Sequence, residues 1–245
     1  MGRKEHVGME KLKINVGEKG YVLLKDWMGT DLSPVNDAKV SFDKEASELG
    51  PKEIRLINYL AEHEHTSPFR HSVLKFEVYA PLMVARQWWK HIIGSEHGEP
   101  FDRLTAWNES SRRYITEEPV FLVPAACEWR SAPENRKQGS GDNLPEEVGR
   151  VYTEKLQAHV EASIALYEEA MAAGICAEQA RLFLPAYGMY VRWVWTASLQ
   201  AVAHFLRLRL DEHAQKEIRD YAAAVKQLAM EKFPVSLQAL LENRP

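Results

Sequence analysis

Apolar and polar residues alternate along four segments of the chain, which is the pattern of strands with one buried face. Residues 11–16 and 21–27 alternate on either side of a glycine-containing turn, so they are predicted to form a pair of strands. Residues 74–80 alternate in the same way, and residues 189–195 do so again with tryptophan at two positions. The pattern therefore predicts strands at all four places.

Apolar residues recur every three or four positions in five other segments, which predicts amphipathic helices. These segments run from 51 to about 63, from 82 to about 92, between Pro145 and Gly174, from 198 to 208 and from 211 to 231. Strands and long helices occur together without the regular alternation of a doubly wound fold. The predicted class is therefore α+β, with an antiparallel-rich sheet and packed helices.

Turn-forming and charged residues crowd out apolar ones at positions 131–143, which predicts an exposed loop. Apolar periodicity resumes on both sides of this segment. The loop is therefore interpreted as an excursion within one domain that covers residues 1–245.

The 245 residues include 45% hydrophobic and 27% charged residues, which is typical of a soluble globular protein. A net charge of -4 argues against bulk affinity for nucleic acid, so any phosphate site must be local. Only two cysteines occur, without CxxC spacing or a signal-peptide segment, and no apolar run approaches membrane-spanning length. A cytoplasmic protein without disulfides is expected.

Cationic and hydroxyl side chains are concentrated between residues 86 and 114. The donors are Arg86, Lys90, His91, Arg112 and Arg113, with Asn108, Ser110, Ser111 and the acceptor Glu109. Guanidinium groups pair bidentately with phosphate, and nearby tryptophans offer flat faces, so recognition of a phosphorylated planar ligand is indicated; a solvated polar surface is the alternative. On the predicted helix, Gln87, Lys90 and His91 would meet that ligand together.

Other chemistries have less support in the sequence. His63, His65 and His71 lack a carboxylate or cysteine ligand at a recognised spacing, so no metal is predicted, and His65 is interpreted as a loop histidine beside a ligand. Cys127 has no histidine close in sequence and is predicted to be a buried, inert thiol. Neither GxGxxG nor GxxxxGK(S/T) occurs.

Two arginines, Arg207 and Arg209, precede Asp211 and His213 at a predicted helix junction. One interpretation is charge balance at a helix end. The other is a buried guanidinium that polarises a carbonyl or holds a ring nitrogen as its anion, because this group stays protonated throughout the working pH range.

Six ordered motifs make the chain resemble the flavin-dependent thymidylate synthases over nearly its full length. They are DLSPVNDAKVSF at 31–42, HEHTSPFRH at 63–71, ARQWWKH at 85–91, NESSRRY at 108–114, ARLFLP at 180–185 and FLRLRLDEHAQ at 205–215. No single motif is specific, but six in the family's order are.

The resemblance implies the thymidylate synthase-complementing fold and a homotetramer that binds FAD in active sites shared between subunits. It implies reductive methylation of dUMP to dTMP, with 5,10-methylenetetrahydrofolate as carbon donor, NADPH as reductant and no cysteine nucleophile. The partners are then small molecules, with no nucleic acid and no membrane.

Positions that match the family's motifs imply the site residues of this chain. Catalytic roles fall on Arg209, held against the uracil ring, and on His65, near the flavin and folate. The matching dUMP-binding residues are Gln87, Lys90, Glu109, Ser110, Ser111, Arg112, Arg113, Arg181 and Arg209. The matching FAD-binding residues are Ser41, Ser67, Lys90, His91, Ile92, Glu109, Ser198, Gln200 and His204.

The sequence departs from the family's commonest pattern at two places. Lys90, His91 and Ile92 replace the usual Arg-His-Arg triplet, and a longer loop, predicted as an insertion at 92–107, follows it. Ser198 and Gln200 stand where the family often has asparagine and arginine. Two other functions stay open: a related flavoprotein that hydroxymethylates dUMP or another pyrimidine nucleotide, and a nucleotide-binding protein without turnover.

Overall fold

The computed structural model describes residues 12–40, 45–89, 91, 105–110, 118–133 and 139–242. Within this part, five antiparallel strands form one sheet in the order β1-β2-β3-β5-β4. The strands are β1 (Leu12–Val16), β2 (Gly20–Met28), β3 (Val73–Pro81), β4 (Thr105–Glu109) and β5 (Tyr190–Ser198). The four predicted strands are confirmed, and so is the α+β class.

Helices account for most of the remaining described chain. They are α1 (Leu32–Ala38), α2 (Pro51–Glu62), α3 (Ser67–Arg70), α4 (Leu82–Trp88), α5 (Glu146–Ala172), α6 (Ala177–Ala180), α7 (Leu199–Arg209), α8 (Lys216–Met230) and α9 (Pro234–Glu242). The predicted helices at α2, α5 and α7 are confirmed within a residue or two, whereas α1 and α9 were not predicted.

The core lies where α4, α7 and α8 pack against the sheet. Alternate residues of β3 and β5 are buried there, because successive side chains of a strand point to opposite faces. Trp193 and Trp195 of β5 meet Trp88 of α4 and Phe205 of α7, with ring centroids 4.4 to 5.5 Å from Trp88. This aromatic cluster holds α4 and α7 at a defined separation next to the candidate site.

Helix α4 is shorter than predicted, because it ends at Trp88 and not near residue 92. Trp88 is fully buried, and the backbone N–H of His91 donates to the Trp88 carbonyl at 2.9 Å, which closes a turn. The predicted placement of Gln87 and His91 one helical turn apart on the same helix is therefore wrong. Trp89, the residue after Trp88, is 48% exposed.

Helix α8 also begins later than predicted, at Lys216 and not at Asp211. The Asp211 carboxylate accepts the His213 backbone N–H at 2.9 Å, and the Asp211 carbonyl accepts that of Ala214 at 3.0 Å. Such local side-chain bonds compete with helical hydrogen bonding, which explains why residues 211–215 form turns.

The predicted end of the loop insertion at 92–107 is wrong. Residues 105–107 belong to β4, whose backbone pairs with β5 from Thr105 opposite Ala197 to Glu109 opposite Trp193. An unpaired β5 edge would leave backbone donors and acceptors without partners, and β4 supplies them. Residues 92–104 lie outside the described part.

The described residues of the predicted loop at 131–143 are exposed or half-buried. An isolated antiparallel bridge joins Arg130 to Asn143 and closes its base. Cys127 lies just before it, in a short 3-10 turn (Ala126–Glu128), and is exposed, so its predicted burial is wrong. A surface turn offers no core position for the thiol.

A buried carboxylate joins the N-terminal half of the chain to α9. Asp31 is 6% exposed, and its oxygens accept the backbone N–H groups of Ser236 at 2.7 Å and Val235 at 3.0 Å. The first N–H groups of a helix have no partner within the helix, and Asp31 accepts from two of them. The partial positive charge at this end of the helix also stabilises the negative charge of the carboxylate.

We expect Asp31→Ala to lower the free energy of unfolding by about 1–3 kcal/mol, because two buried donors lose their acceptor. Chemical denaturation at fixed protein concentration measures the change. Asp142→Ala, in the exposed loop, is the matched control and should shift the midpoint little. An equal shift in both variants would contradict the capping role.

Candidate active site

The end of α4 brings His91 to the C-terminal end of α7. The Arg209 Nε–H donates to His91 Nε2 at 2.9 Å, across 118 positions of sequence. His91 is 6% exposed, and its ring lies edge-on to Phe205 with centroids 5.2 Å apart. This places the strongest candidate catalytic residue in a defined contact.

Burial controls the ionisation of this cluster. The pKa of His91 is lowered from 6.5 to about 4, mainly by burial and also by the neighbouring charges of Arg209 and His204. Burial also lowers the pKa values of His204 and Arg209, with Arg207 adding to the effect on His204. Near neutral pH, His91 is therefore neutral beside a charged Arg209.

Arg209 lines an open cleft of about 570 Å³. The described lining residues are Gln87, Gly139, Arg207, Leu208, Arg209, Asp211, His213, Ala214 and Gln215. Gln87 Nε2 donates to Gln215 Oε1 at 2.6 Å and to the Met83 carbonyl at 3.3 Å, which uses both of its amide hydrogens. Its own oxygen has no partner among the described residues. Arginine donors and amide groups together suit an anionic or carbonyl-rich ligand.

Gln215 was not among the residues predicted for the site. It lies in the FLRLRLDEHAQ motif, but its partner Gln87 is 128 positions away. The two amides meet because the turns at 211–215 pack beside α4. No short-range signal in the sequence would have found this pair.

A second cleft of about 520 Å³ lies on another face of α4. Its described lining residues are Leu82, Ala85, Arg86, Trp89, Glu109 and Tyr187. The Arg86 guanidinium lies over the Trp89 ring, 5.6 Å from its centroid. Glu109, predicted to bind both dUMP and FAD, thus lines a different cleft from Gln87 and Arg209 of the same chain.

Two other predicted dUMP residues also lie apart from the Arg209 cleft. The Ser110 hydroxyl accepts the Arg192 backbone N–H at 3.1 Å, next to the end of β4. Arg181 begins a 3-10 turn (Arg181–Phe183), and its Nε donates to the Glu178 carbonyl at 3.2 Å. Neither is among the described residues that line the two clefts.

Three predicted flavin residues cluster at the start of α7. Ser198 is fully buried, and its hydroxyl accepts the Ala201 N–H at 3.2 Å, which caps the helix. Gln200 Oε1 and His204 Nε2, one helical turn apart, are buried atoms without a hydrogen-bond partner among the described residues. The His204 ring centroid is 6.2 Å from that of His91.

The remaining predicted residues divide into two groups. His65 and Ser67 are exposed on the segment between α2 and β3, where the edge of His65 faces Tyr59 with centroids 6.0 Å apart. Neither lines a described cleft with Arg209. The other predicted residues, Ser41, Lys90, Ile92, Ser111, Arg112 and Arg113, lie outside the described part of the chain.

The described residues hold no group of three or more His, Cys, Asp or Glu side chains placed to bind a metal ion. None of the helices in the described ranges is long and apolar enough to cross a membrane.

An α+β fold with a cleft of arginine and amide donors, next to buried polar atoms that lack partners among the described residues, suits an enzyme that binds an anionic, carbonyl-rich ligand such as a nucleotide. The family model of the thymidylate synthase complementing protein matches residues 22–235. The chain therefore belongs to this family, as its motifs predicted.

Named relatives and solved structures agree with this assignment. A flavin-dependent thymidylate synthase of Thermotoga neapolitana is 38% identical over 231 residues, covering 94% of this chain and 95% of the relative. One from Thermosipho africanus is 33% identical with the same coverage. The structure of the UMP/dUMP methylase PolB from Streptomyces cacaoi, bound with 5-Br dUMP, has a TM-score of 0.78 and 27% identity, covering 94% of this chain and 97% of that one.

The buried groups near His91 fit a flavin. An isoalloxazine ring presents one N–H donor among several acceptors, which suits a free amide oxygen at Gln200 and an imidazole at His204. Both atoms would otherwise lose hydrogen bonds on burial. The structure thus offers His91, Gln200 and His204 as described residues that would hold the cofactor.

Proposed function

We propose that the protein is a flavin-dependent thymidylate synthase that methylates dUMP to dTMP. The observation that carries this proposal is the Arg209 guanidinium, held by His91 in the cleft that Gln87 and Gln215 also line. The names of its relatives and of its structural neighbour give the same reaction class.

Arg209 would act on the uracil ring by electrostatics. Its terminal N–H groups have no partner among the described residues and can donate to a carbonyl oxygen of the ring and to N3 in the anionic form of the ring. Stabilising negative charge there raises the electron density at C5, which then attacks the one-carbon donor. Neither cysteine lines the described Arg209 cleft, so this route needs no thiolate.

The cofactors follow from the same proposal. Bound FAD would supply hydride chemistry, with NADPH as reductant and 5,10-methylenetetrahydrofolate as carbon donor. His91, Gln200 and His204 would hold the flavin next to Arg209, and Ser198 would keep the first turn of α7 in place through its cap. The roles of His65 and Ser67 toward folate and flavin are part of this proposal.

A second copy of the chain would complete the site, because Glu109, Ser110 and Arg181 lie apart from the Arg209 cleft of their own chain. Exposed apolar side chains follow Arg181 in the chain, with Leu182 80% and Tyr187 70% exposed. Along α5, Val151, Tyr152 and Leu166 are also nearly half exposed. Such surfaces favour subunit contacts, in agreement with a homotetramer.

The reaction product tests the proposal. Purified protein is mixed with FAD, NADPH, 5,10-methylenetetrahydrofolate and dUMP, and the nucleotide is identified by mass. We expect dTMP, whereas a hydroxymethylated nucleotide would indicate the related flavoprotein. Binding of dUMP without FAD-dependent tritium release from C5 would indicate a non-catalytic protein, and unchanged dUMP under every condition would contradict both enzymatic functions.

The same assay should include UMP beside dUMP. The structural neighbour is named a UMP/dUMP methylase, and its structures contain either 5-Br dUMP or 5-Br UMP. The ratio of kcat/KM for the two nucleotides tells which sugar this protein accepts. A clear preference for UMP would redirect the proposal from dTMP to the ribonucleotide product.

A further inference from the structure

The contact between Arg209 and His91 defines the protonation state of both groups. Guanidinium nitrogens donate and do not accept, so His91 Nε2 must carry a lone pair and the ring proton must lie on Nδ1. The lowered pKa of His91, about 4, keeps this neutral form dominant near neutral pH. The hydrogen bond is therefore available under the conditions in which the enzyme works.

His91 is itself held in place from several sides. Its backbone N–H donates to the Trp88 carbonyl, and its ring packs edge-on against Phe205, beside the ring of His204. With only 6% of its surface exposed, the ring has little room to rotate. A rigid acceptor can orient a flexible arginine, which otherwise loses several rotamers on binding a ligand.

We propose that His91 is a positioning residue for Arg209: its Nε2 accepts the Arg209 Nε–H and so directs the two terminal amino groups of the guanidinium into the cleft. This inference rests on the proposed function, in which those groups contact the uracil ring. It differs from the flavin contact predicted for His91, because it uses the nitrogen that faces Arg209. The same ring can contact both Arg209 and the flavin.

The choice of a neutral acceptor has an electrostatic consequence. A carboxylate in the place of His91 would hold Arg209 equally well, but its charge would offset the positive charge that stabilises an anionic ring. A neutral imidazole orients the guanidinium and leaves that charge in full. Among the described residues, no ion pair to the Arg209 side chain is present.

Two substitutions separate the hydrogen bond from the packing. His91→Gln keeps an acceptor oxygen at about the reach of Nε2, whereas His91→Phe fills the space beside Phe205 without an acceptor. We expect His91→Phe to lower kcat for dTMP formation by about 10- to 100-fold, because a misplaced guanidinium loses its alignment with the ring. The loss in His91→Gln should be smaller, because this variant keeps an acceptor for the Arg209 Nε–H. Equal losses in both variants would overturn the proposal.

A double-mutant cycle shows whether His91 acts through Arg209. In the Arg209→Ala background, His91→Phe should cause no further loss of kcat, since the group it positions is gone. Losses that multiply in variants that retain bound FAD would show an independent role and would overturn the inference. Flavin absorbance of each purified variant, reconstituted with FAD, separates any loss of cofactor from a loss of alignment.

A measurement without turnover distinguishes this inference from the proposed function. With 15N-labelled arginine, NMR should show an exchange-protected Arg209 Nε–H signal in the unmodified protein and in His91→Gln, but not in His91→Phe. If that signal persists in His91→Phe, the positioning role is wrong even when dTMP is made. If the signal behaves as expected but no nucleotide is converted, the proposed function is wrong and the hydrogen bond stands.

Discussion

Replacing Arg209 with alanine should lower kcat for dTMP formation by roughly 100- to 1,000-fold, the loss typical of removing one preorganised donor from a developing anion. Arg209 meets the requirements for such a donor: it is partly buried, it lines the cleft, and His91 fixes its Nε–H. Steady-state rates with dUMP and single-turnover tritium release from C5 measure the loss. Both should fall together, because activation of C5 precedes carbon transfer.

Two further variants make this result specific to the guanidinium. Arg209→Lys keeps the charge but loses the planar set of donors, so its rate should lie between those of the unmodified protein and Arg209→Ala. Arg55→Ala, on the exposed side of α2, removes an arginine of no proposed role and should leave the rate unchanged. A rate near that of the unmodified protein in Arg209→Ala would exclude the assigned role.

Strand and helix positions were predictable wherever one face of an element is buried along its whole length. Residues 74–80 and 189–195 alternate because they lie in the middle of the sheet against the helices, and α2 shows helical periodicity because one of its faces packs inward. Helices α1 and α9 are short, and α9 is joined to the N-terminal half by Asp31, more than 200 positions away. A local pattern cannot report such a contact.

The candidate site was predictable as a set of residue types but not as an arrangement. The motifs correctly named the family, but they could not show that one chain holds Glu109, Ser110 and Arg181 apart from Gln87 and Arg209. The end of α4 at Trp88 was equally hidden, because it depends on tryptophans of β5 that follow a hundred positions later. The helical spacing predicted between Gln87 and His91 was therefore wrong.

The contact between His91 and Arg209 depends on the aromatic cluster beneath it. Trp88 lies one turn before His91 and stacks on Phe205 with centroids 4.4 Å apart, and Phe205 lies one helical turn before Arg209. The same pair of rings thus sets the spacing of the two segments that bring the histidine and the arginine together. Stability and alignment of the site should respond to the same substitution.

Trp88→Ala should lower the free energy of unfolding by about 3–5 kcal/mol, because it removes a fully buried ring from between Trp193, Trp195 and Phe205. The loss comes from packing, since the indole N–H has no partner among the described residues. Denaturant titration at fixed protein concentration measures it, and Trp88→Phe, which refills part of the cavity, should lose less and allow kcat to be assayed. Trp89→Ala is the matched control: this neighbour is half exposed, and its removal should cost about 1 kcal/mol or less. Similar losses at both tryptophans would show that the cluster does not hold α4 against α7.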